Sequence, residues 1–455
     1  MKLQMKKVIS PEEWFHIIKT SFKSSDVKAA AVVFMFGLCL YVPMITQRLT
    51  CSDGTICGIF YRSHSDYDIE DIAGRYLLKY FAHFKSMFVF SWLAVVVGIA
   101  CMSIGAILIC KVLKIDSVIK ILIVGLLIQV SPCFIETFSY YFAADAYVIS
   151  FLLVTLAVYL LHEKKTFLRA FVASLLMFVS MTFYQAYIFI AVVLFLYILI
   201  RDLLDEAKDW KQIGRGLLWQ IGSGIVAFAV YVLANKVFKM VGLIFYQESR
   251  FKFSEIFSLE VLPKAIANAY RHFYEYFFTM NFINNEWKAR NVVNAVILLL
   301  CIVLLILNIS KTKKAYSYKI ATIVVLAILP MAFMGISILN WQEGTPRIMM
   351  LPTVCLFYIG AWALWNRTIK KYQNTIIHFC GWGLYAVTGY LLIIMTVYLG
   401  IYQVCMQYYA DKTDSMAQRI ITRIEQEYPE TVAGSPVFIC GDVDEGNYPQ
   451  DYWIT

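Results

Sequence analysis

The residues with the clearest chemical potential in this sequence stand at the ends of hydrophobic segments. Asp53 follows the first such segment, Asp145 comes just before the fourth, and Arg347 comes just before the tenth. A carboxylate in such a place can accept the proton of a hydroxyl group. A guanidinium there can hold a phosphate through two parallel hydrogen bonds. The pattern therefore predicts proton transfer and anion binding at segment ends, where ionisable groups are costly.

Other polar residues also stand near the ends of hydrophobic segments. They are the cluster Glu70, Asp71 and Arg75, then Glu136, the pair Tyr184 and Gln185, Glu343 before Arg347, and Lys288 with Arg290 beside the eighth segment. Each taken alone can equally be a solvated loop residue or part of a local ion pair. Glu70 and Asp71 can orient Arg75 by pairing along a helix, or can bind hydroxyl groups of a substrate. Asp66 and Asp68 are expected to be solvent-exposed linker residues.

The hydrophobic segments predict an all-α polytopic membrane protein. Of the 455 residues, 60% are hydrophobic and 16% are charged, and the mean hydropathy is +0.66. A helix needs about 20 apolar residues to cross the hydrocarbon layer of a bilayer. About eleven such stretches are present, with about ten to thirteen as the range because the fifth and sixth are short. They cover residues 29–47, 88–110, 118–135, 146–161, 168–183, 186–200, 213–234, 291–309, 320–339, 348–365 and 377–402.

Basic residues predict how these helices are oriented, because Lys and Arg near membrane ends stay on the cytoplasmic side. With the N-terminus inside, more than half of the 40 basic residues fall on the inner side. The inner segments are residues 1–28, 111–120, 162–169, 201–215, 311–319 and 366–372. Residues 1–28 are charged and amphipathic and do not match a cleavable signal peptide, so a cytoplasmic lead-in is expected. The polar residues named above then all face outward.

Two outward regions, residues 48–87 and 236–290, are too long to be simple turns. In the first, apolar residues recur at helical spacing from Ile69 to Phe84. In the second, Ile266, Tyr270, Phe273, Tyr274 and Phe277 repeat the pattern after Pro263. Both patterns predict amphipathic helices that lie in the membrane interface.

The C-terminal region, residues 403–455, predicts a small outer α/β element. Ser415 and Gln418 suit the capping box of a helix, and Pro436 introduces a short strand-like run. The expected domains are thus a cytoplasmic N-terminus at 1–28, a transmembrane domain at 29–402 and this element.

Cysteine and histidine patterns indicate no metal site. The six histidines are scattered, and most of the 11 cysteines lie in hydrophobic segments, where a thiol behaves as a small apolar group. Cys51 and Cys57 flank Asp53 and can form a disulfide or remain free thiols. The net charge of +9 follows from the basic inner segments, so nucleic-acid binding is not expected.

The order of short fragments along the chain resembles a known family. The fragments are Asp53-Gly54, Gly74-Arg75-Tyr76-Leu77, TFSYYFAADAY at 137–147, FYQAY at 183–187, PRIMMLP at 346–352 and Asp411-Lys412. They look like the serotype-converting type II O-antigen glucosyltransferase family, over roughly residues 30 to 435. The resemblance is closer to Gram-positive members, where an Asp-Gly pair replaces paired acidic residues. That departure leaves the second carboxylate unassigned.

The resemblance implies a multi-span GT-C glycosyltransferase that moves one sugar, by default glucose, from a polyprenyl-phosphate donor. The acceptor would be a hydroxyl of a cell-surface or lipid-linked glycan at the outer face of the bacterial plasma membrane. Asp53 would be the general base, Asp145 the second carboxylate, and Arg347 the ligand of the donor phosphate. Lys288 and Arg290 are the alternative candidates for binding that phosphate. No cofactor is required, although a divalent metal is compatible with this chemistry. A donor-lipid synthase and a small flippase are the implied functional partners.

Two other classes stay open from the residues alone. A transporter or flippase of polyprenyl-linked glycans also has many spans, but such proteins place charges near the bilayer midplane, whereas these charges gather at one surface. A membrane polymerase of the same glycans usually has arginine-rich outer loops, which residues 236–290 match only in part.

Replacement of Asp53 tests the predicted general base. Asp53→Asn keeps the size of the side chain but removes the base, so sugar transfer should fall about 10²- to 10⁴-fold, while the protein still accumulates in the membrane. The measurement is transfer of a radiolabelled sugar from its polyprenyl phosphate to an acceptor by purified protein. Near-parental turnover would remove Asp53 from the mechanism. If Asp145→Asn also keeps parental turnover, the interpretation of the protein as an enzyme becomes doubtful.

Overall fold

The chain folds into a helical bundle in the computed structural model. The structure describes residues 24–47, 49, 51, 74–84, 90–242, 258–280, 288–341, 344–372 and 375–427, and within these ranges it contains helices and no β-strand. The first half holds α1 Ser24–Leu40, α2 Val42–Thr46, α3 Tyr76–Phe84, α4 Ser91–Leu113, α5 Val118–Gln129, α6 Pro132–Ser139, α7 Ala144–Glu163 and α8 Phe167–Phe183.

The second half of the bundle begins with a single 3₁₀ turn at Gln185–Tyr187. It continues with α9 Ile188–Leu203, α10 Trp210–Met240, α11 Val261–Tyr274, a π-helical segment Glu275–Thr279, α12 Ala289–Lys311, α13 Tyr316–Phe333, α14 Gly335–Leu339, a 3₁₀ turn Ile348–Met350, α15 Cys355–Lys371 and α16 Thr375–Glu427.

Seven of the described helices are long and apolar enough to cross a membrane, or eight if the bent pair α5 and α6 is one span. The seven are α4, α7, α9 with its preceding 3₁₀ turn, α10, α12, α13 and α16. Three further predicted spans, α1, α8 and α15, are helices of 17 residues each. At 1.5 Å per residue they are about 25 Å long, which is short for ~30 Å of hydrocarbon. The all-helical membrane fold is confirmed, and the count of eleven spans is not.

Helix α4 lies at the centre of the first half of the bundle. It packs against α1, α5 and α7, and most of its residues are buried. Small residues allow this close approach, because a side chain at Gly105 would overlap the buried ring of Phe151 on α7, and one at Gly98 would come within 2.5 Å of Phe138. Between membrane helices, contact of this kind replaces the hydrophobic driving force that acts in water.

Basic segments that were predicted to share the inner side meet at one end of the bundle. Lys370 of α15 pairs with Asp116 at 2.7 Å, and Lys371 pairs with Glu206 at 2.7 Å. Their neighbour Arg367 donates to the carbonyl of Arg201 at 2.6 Å. We call this the basic end. Helix α1 also begins here, five residues earlier than predicted, and its buried Asp26 lies 3.5 Å from Lys111.

Both predicted amphipathic helices are present among the described residues. Helix α3 covers the later part of the first one, and α11 begins at Val261, so Pro263 lies within its first turn, where proline is tolerated. The protein buries a face of α11 that consists of Ala265, Ala269 and His272. Tyr270 and Tyr274, on the apolar face predicted to lie in the membrane interface, are 40% and 60% exposed from the bundle. Small residues face the bundle because α11 packs closely against α13 and α14.

The predicted start of a new helix at Ser415 is wrong. Helix α16 is continuous from Thr375 to Glu427, and Ser415 lies inside it, where its carbonyl accepts a hydrogen bond from Arg419 at 3.3 Å. A run of good helix formers without proline or glycine after the apolar part allows the helix to continue beyond the span. The strand-like run after Pro436 and the rest of the predicted α/β element lie outside the described residues.

The close approach of α4 and α7 can be tested with matched glycine substitutions. Gly105→Ala should lower stability by about 1–3 kcal/mol, because the added methyl group overpacks the interface at Phe151. Gly224→Ala is the control, since nothing lies within 4 Å of a Cβ there, and it should leave stability unchanged or slightly higher. The measurement is the thermal unfolding midpoint of each purified variant in detergent. Equal midpoints would show that α4 and α7 do not depend on this contact.

Candidate active site

The first polar group of the candidate site forms where α6 meets the turn before α15, at the end of the bundle opposite the basic end. Helix α5 stops at Gln129, and α6 starts at Pro132 after a bend of 47°, since proline cannot continue the hydrogen bonding of a helix. The bend turns Glu136 towards the 3₁₀ turn at Ile348–Met350. The Glu136 carboxylate accepts a hydrogen bond from the backbone N–H of Met349 at 2.7 Å.

Arg347 completes this first group. It is the residue just before the 3₁₀ turn, and its side chain donates from Nη1 to the Tyr140 hydroxyl at 3.1 Å. Burial raises the pKa of Glu136 to about 7, and the hydrogen bond from Met349 and the charge of Arg347 partly offset this rise. Arg347 is solvent-exposed and Glu136 is half-buried. Residues far apart in sequence thus place a guanidinium and a carboxyl group near each other at one end of the bundle.

Arg75 is the centre of a second polar group at the same end. Its guanidinium carbon lies 4.3 Å from the centre of the Tyr184 ring, a cation–π contact. Its Nε donates to the Gln185 side-chain oxygen at 3.4 Å, and its Nη1 donates to the Tyr147 hydroxyl at 3.4 Å. Tyr184 and Gln185 lie at the break between α8 and α9 that the sequence predicted. The predicted polar residues Arg75, Tyr184 and Gln185 are therefore brought together.

Helix α10 fixes this second group from the side. The Gln185 amide nitrogen donates to the Tyr231 hydroxyl at 2.8 Å, and that hydroxyl donates to the carbonyl of Gly74 at 3.3 Å. Gly74 has a φ of 72°, a left-handed conformation that glycine adopts without strain. The turn at Gly74 allows the next residue, Arg75, to point its side chain at Tyr184.

Aromatic residues connect the two polar groups. The Tyr184 ring lies 4.6 Å from that of Tyr147 and 5.8 Å from that of Tyr187. The Tyr187 ring lies in turn 6.3 Å from that of Phe134, two residues before Glu136 on α6. The two groups are therefore neighbours in one site, which we call the polar cluster, and its described part holds two arginines and one carboxyl group. Such a site can hold an anion that also carries hydroxyl groups.

Asp145 has a different environment from the one predicted for a catalytic carboxylate. It is 5% exposed and lies in the first turn of α7, where its Oδ1 accepts a hydrogen bond from the N–H of Ala146 at 2.9 Å. A carboxylate at a helix N-terminus stabilises the helix dipole. This contact gives Asp145 a structural role, and its catalytic role stays a prediction.

The two basic residues beside α12 differ from each other in exposure. Lys288 is exposed at the start of α12. Arg290 is 5% exposed, and its guanidinium donates to the carbonyl oxygens of Tyr276 and Met280, the latter at 3.1 Å. It also lies 4.9 Å from the Tyr276 ring centre. Arg290 thus holds the π-helical segment against α12, and a donor-binding role for either residue stays a prediction.

Several predicted site residues lie outside the described residues, namely Asp53, Glu70, Asp71 and Glu343. Cys51 is described, and its backbone N–H donates to the carbonyl of Ser139 at 3.1 Å, at the end of the helix that carries Glu136. Its predicted partner Cys57 is not described. Within the described ranges no group of three or more His, Cys, Asp or Glu side chains could hold a metal ion.

Sequence reasoning missed three tyrosines of the polar cluster. Tyr140 and Tyr147 belong to the fragment at 137–147, whose many aromatic residues were the available signal. Tyr231 lies within the apolar helix α10, where nothing in the local sequence separates it from a tyrosine that faces lipid. Only its contacts with Gln185 and Gly74 show its role.

The family model described as "Glucosyl transferase GtrII" matches residues 71–360. The match includes every described residue of the polar cluster, from Arg75 to Met349. The chain belongs to the GtrII glucosyltransferase family. The resemblance inferred from the short fragments is therefore confirmed, and the protein is a membrane glucosyltransferase. No curated protein and no solved structure is similar enough to this glucosyltransferase to give a match.

The hydrogen bonds of Tyr231 give a prediction about this site. Tyr231→Phe leaves the Gln185 amide and the Gly74 carbonyl without their shared partner, which should cost about 1–3 kcal/mol of stability. The control is Tyr390→Phe in this glucosyltransferase, because Tyr390 is 45% exposed and should tolerate loss of its hydroxyl. Thermal unfolding midpoints of the two purified variants provide the comparison. If both equal the parent, the contact of α10 with the turn at Gly74 does not stabilise the fold.

Proposed function

We propose that this glucosyltransferase takes glucose from a polyprenyl-phosphate carrier and transfers it to a hydroxyl of a cell-surface or lipid-linked glycan. The observation that supports this proposal is the placement of Arg347 beside Glu136 at an accessible end of a membrane bundle. The phosphate of a lipid carrier lies at the boundary between hydrocarbon and water. A membrane-end site with arginines and a carboxylate suits a substrate that combines a phosphate with a sugar.

The reaction requires one bond to form as another breaks. The acceptor oxygen attacks the anomeric carbon of glucose and loses its proton to a carboxylate, while the bond between that carbon and the phosphate oxygen breaks. The bonding electrons leave with the polyprenyl phosphate, which gains negative charge. A guanidinium already in place holds that charge more strongly in the transition state than in the bound substrate.

Each member of the polar cluster has a proposed part in this step. Arg347 holds the departing phosphate through a bidentate fork, and Arg75, held against Tyr184, adds a second positive charge. Asp53 is the proposed base. Glu136 is proposed as the second carboxylate in place of Asp145, because it is half-buried beside Arg347. A carboxylate has about four acceptor sites, so the bond from Met349 leaves capacity for a sugar hydroxyl.

The position of the basic end supports an outward-facing active site. Lys and Arg near membrane ends are retained in the cytoplasm, so the opposite end, with the polar cluster, would face outward from the bacterial plasma membrane. The acceptor glycan and membrane lipids would meet the enzyme there. A synthase that loads glucose onto the lipid and a small flippase that turns it outward are the functional partners this arrangement needs. The proposed step requires no cofactor and remains compatible with a divalent metal.

Replacement of the paired charges Glu136 and Arg347 tests the proposed function. Glu136→Gln keeps an acceptor for the Met349 N–H but loses the charge, so kcat/KM should fall about 10- to 100-fold, as for loss of a hydrogen bond to a charged group. Arg347→Ala should lower kcat about 10²- to 10³-fold, and Arg347→Lys should be intermediate because it keeps the charge without the fork. The measurement is transfer of radiolabelled glucose from polyprenyl-phosphate-glucose to extracted surface glycan.

The matched control is Glu163→Gln, which changes an exposed glutamate at the far end of α7 and should retain parental activity. Binding of polyprenyl phosphate is measured in parallel to separate donor binding from chemistry. If Arg347→Ala binds the carrier and turns over like the parent, the donor site lies elsewhere, first at Lys288. Movement of the intact lipid-linked sugar across a vesicle membrane without covalent transfer would instead support a flippase.

A further inference from the structure

An apolar cavity of about 440 Å³ lies between α9, α12, α13 and α15. Its walls are almost entirely aliphatic and aromatic, and the polar side chains that reach it include Tyr197, Arg201 and Arg367. The Tyr197 hydroxyl donates to the carbonyl of Leu356 at 2.7 Å, so it is satisfied within the protein. A cavity of this size and character suits a hydrocarbon chain better than water.

The cavity lies beside a gap between consecutive helices. Helix α12 packs against α15 and α16, whereas α13 packs against α9 and α11, and the two do not pack closely against each other. Ile302 of α12 lines the cavity and is also 43% exposed. The cavity therefore extends to the apolar outer surface of the bundle, where lipid chains can enter it.

Phenylalanine rings form the wall of the cavity on the side of the polar cluster. The Phe333 ring lies 5.9 Å from that of Phe273 and 6.1 Å from that of Phe357. The Phe277 ring packs behind this wall, 4.5 Å from that of Phe357. The cavity is therefore aromatic and uncharged on this side.

Arginines line the opposite side of the cavity, at the basic end. Arg201 pairs with Asp202 at 3.2 Å and donates to the carbonyl of Val112 at 2.8 Å. Arg367 donates from Nη1 to the carbonyl of Arg201, and its buried Nε has no hydrogen-bond acceptor in the described part of the chain. The charges of Asp205 and Arg201 both act on Arg367, with opposite effects. An added anion would give the Nε a hydrogen-bond acceptor.

We propose that this cavity binds one anionic phospholipid from the leaflet at the basic end. One acyl chain lies between α12 and α13, and the phosphate accepts hydrogen bonds from Arg367. Basic pockets between transmembrane helices are typical sites for anionic lipid head groups, and here Arg201 and Arg367 line one side of an apolar cavity. The proposal does not depend on the sugar-transfer reaction.

The bound lipid would supply the packing that α12 and α13 do not give each other. A ligand that binds only the folded protein raises its stability in proportion to the logarithm of its concentration above its Kd. The stability of the folded glucosyltransferase should therefore depend on anionic lipid.

The experiment uses the full chain, purified in detergent and stripped of lipid. Phosphatidylglycerol, phosphatidylcholine and polyprenyl phosphate are added separately, bound lipids are counted by native mass spectrometry, and unfolding midpoints are recorded. Phosphatidylglycerol should bind with one tight site and raise the midpoint, whereas phosphatidylcholine should not. Arg367→Gln should weaken phosphatidylglycerol binding about fivefold, the effect of one surface charge. Lys164→Gln, which alters an exposed lysine at the same end, should bind it like the parent.

A second variant keeps the proposal testable if Arg367→Gln does not fold. Cys301→Phe fills the cavity from α12 without changing a charge, and it should abolish the tight phosphatidylglycerol site. Unchanged phosphatidylglycerol binding in this variant would overturn the proposal, as would equal binding of phosphatidylcholine by the parent. Tighter binding of polyprenyl phosphate that Cys301→Phe removes would assign the cavity to the sugar carrier instead.

Discussion

Hydrocarbon offers no hydrogen bonds, and this constraint governs the whole molecule. Backbone groups inside a bilayer must be satisfied within their own segment, which leaves helices as the solution for this chain. Polar side chains within the spans are satisfied in the same way. Asn308 of α12 donates to Thr368 of α15 at 2.6 Å, and Tyr358 of α15 donates to Asn294 of α12 at 2.9 Å. Such pairs join helices that the hydrophobic effect, which needs water, cannot drive together.

The same constraint confines the chemistry to the ends of the helices. Regular helices carry the chain between the two ends of the bundle. The irregular elements that bear described residues of the polar cluster lie at the end opposite the basic end. The bend before Pro132 presents Glu136, the break after α8 presents Gln185, and the 3₁₀ turn presents Arg347. A lipid carrier keeps its phosphate at that depth. Catalysis on such a substrate therefore needs irregular structure at one membrane surface and rigid helices below it.

The charges of the polar cluster are positioned before a substrate binds. Its described part holds two arginines and one carboxylate, and each arginine makes contacts that position it, Arg75 on Tyr184 and Arg347 on the Tyr140 hydroxyl. Charges that are placed before the substrate arrives need no reorganisation when negative charge develops on a leaving group. The surplus positive charge favours a phosphate. At the basic end, Arg201 and Arg367 line an apolar cavity. There the proposed role of Arg367 is to bind the phosphate of a membrane lipid.

Hydropathy and the positions of Lys and Arg determined the helical membrane class and the grouping of the basic segments, because both depend on local composition and the thickness of a bilayer. The ordered fragments determined the family. Tertiary structure decided the rest. It brought the Glu136 carboxyl group to the backbone N–H of Met349, because a bend in the backbone is set by packing as well as by proline. It added Tyr231, whose partners are distant in sequence, and it showed that α11 packs on the bundle through small residues. Contacts between distant residues depend on how helices pack against each other, and no local pattern records that.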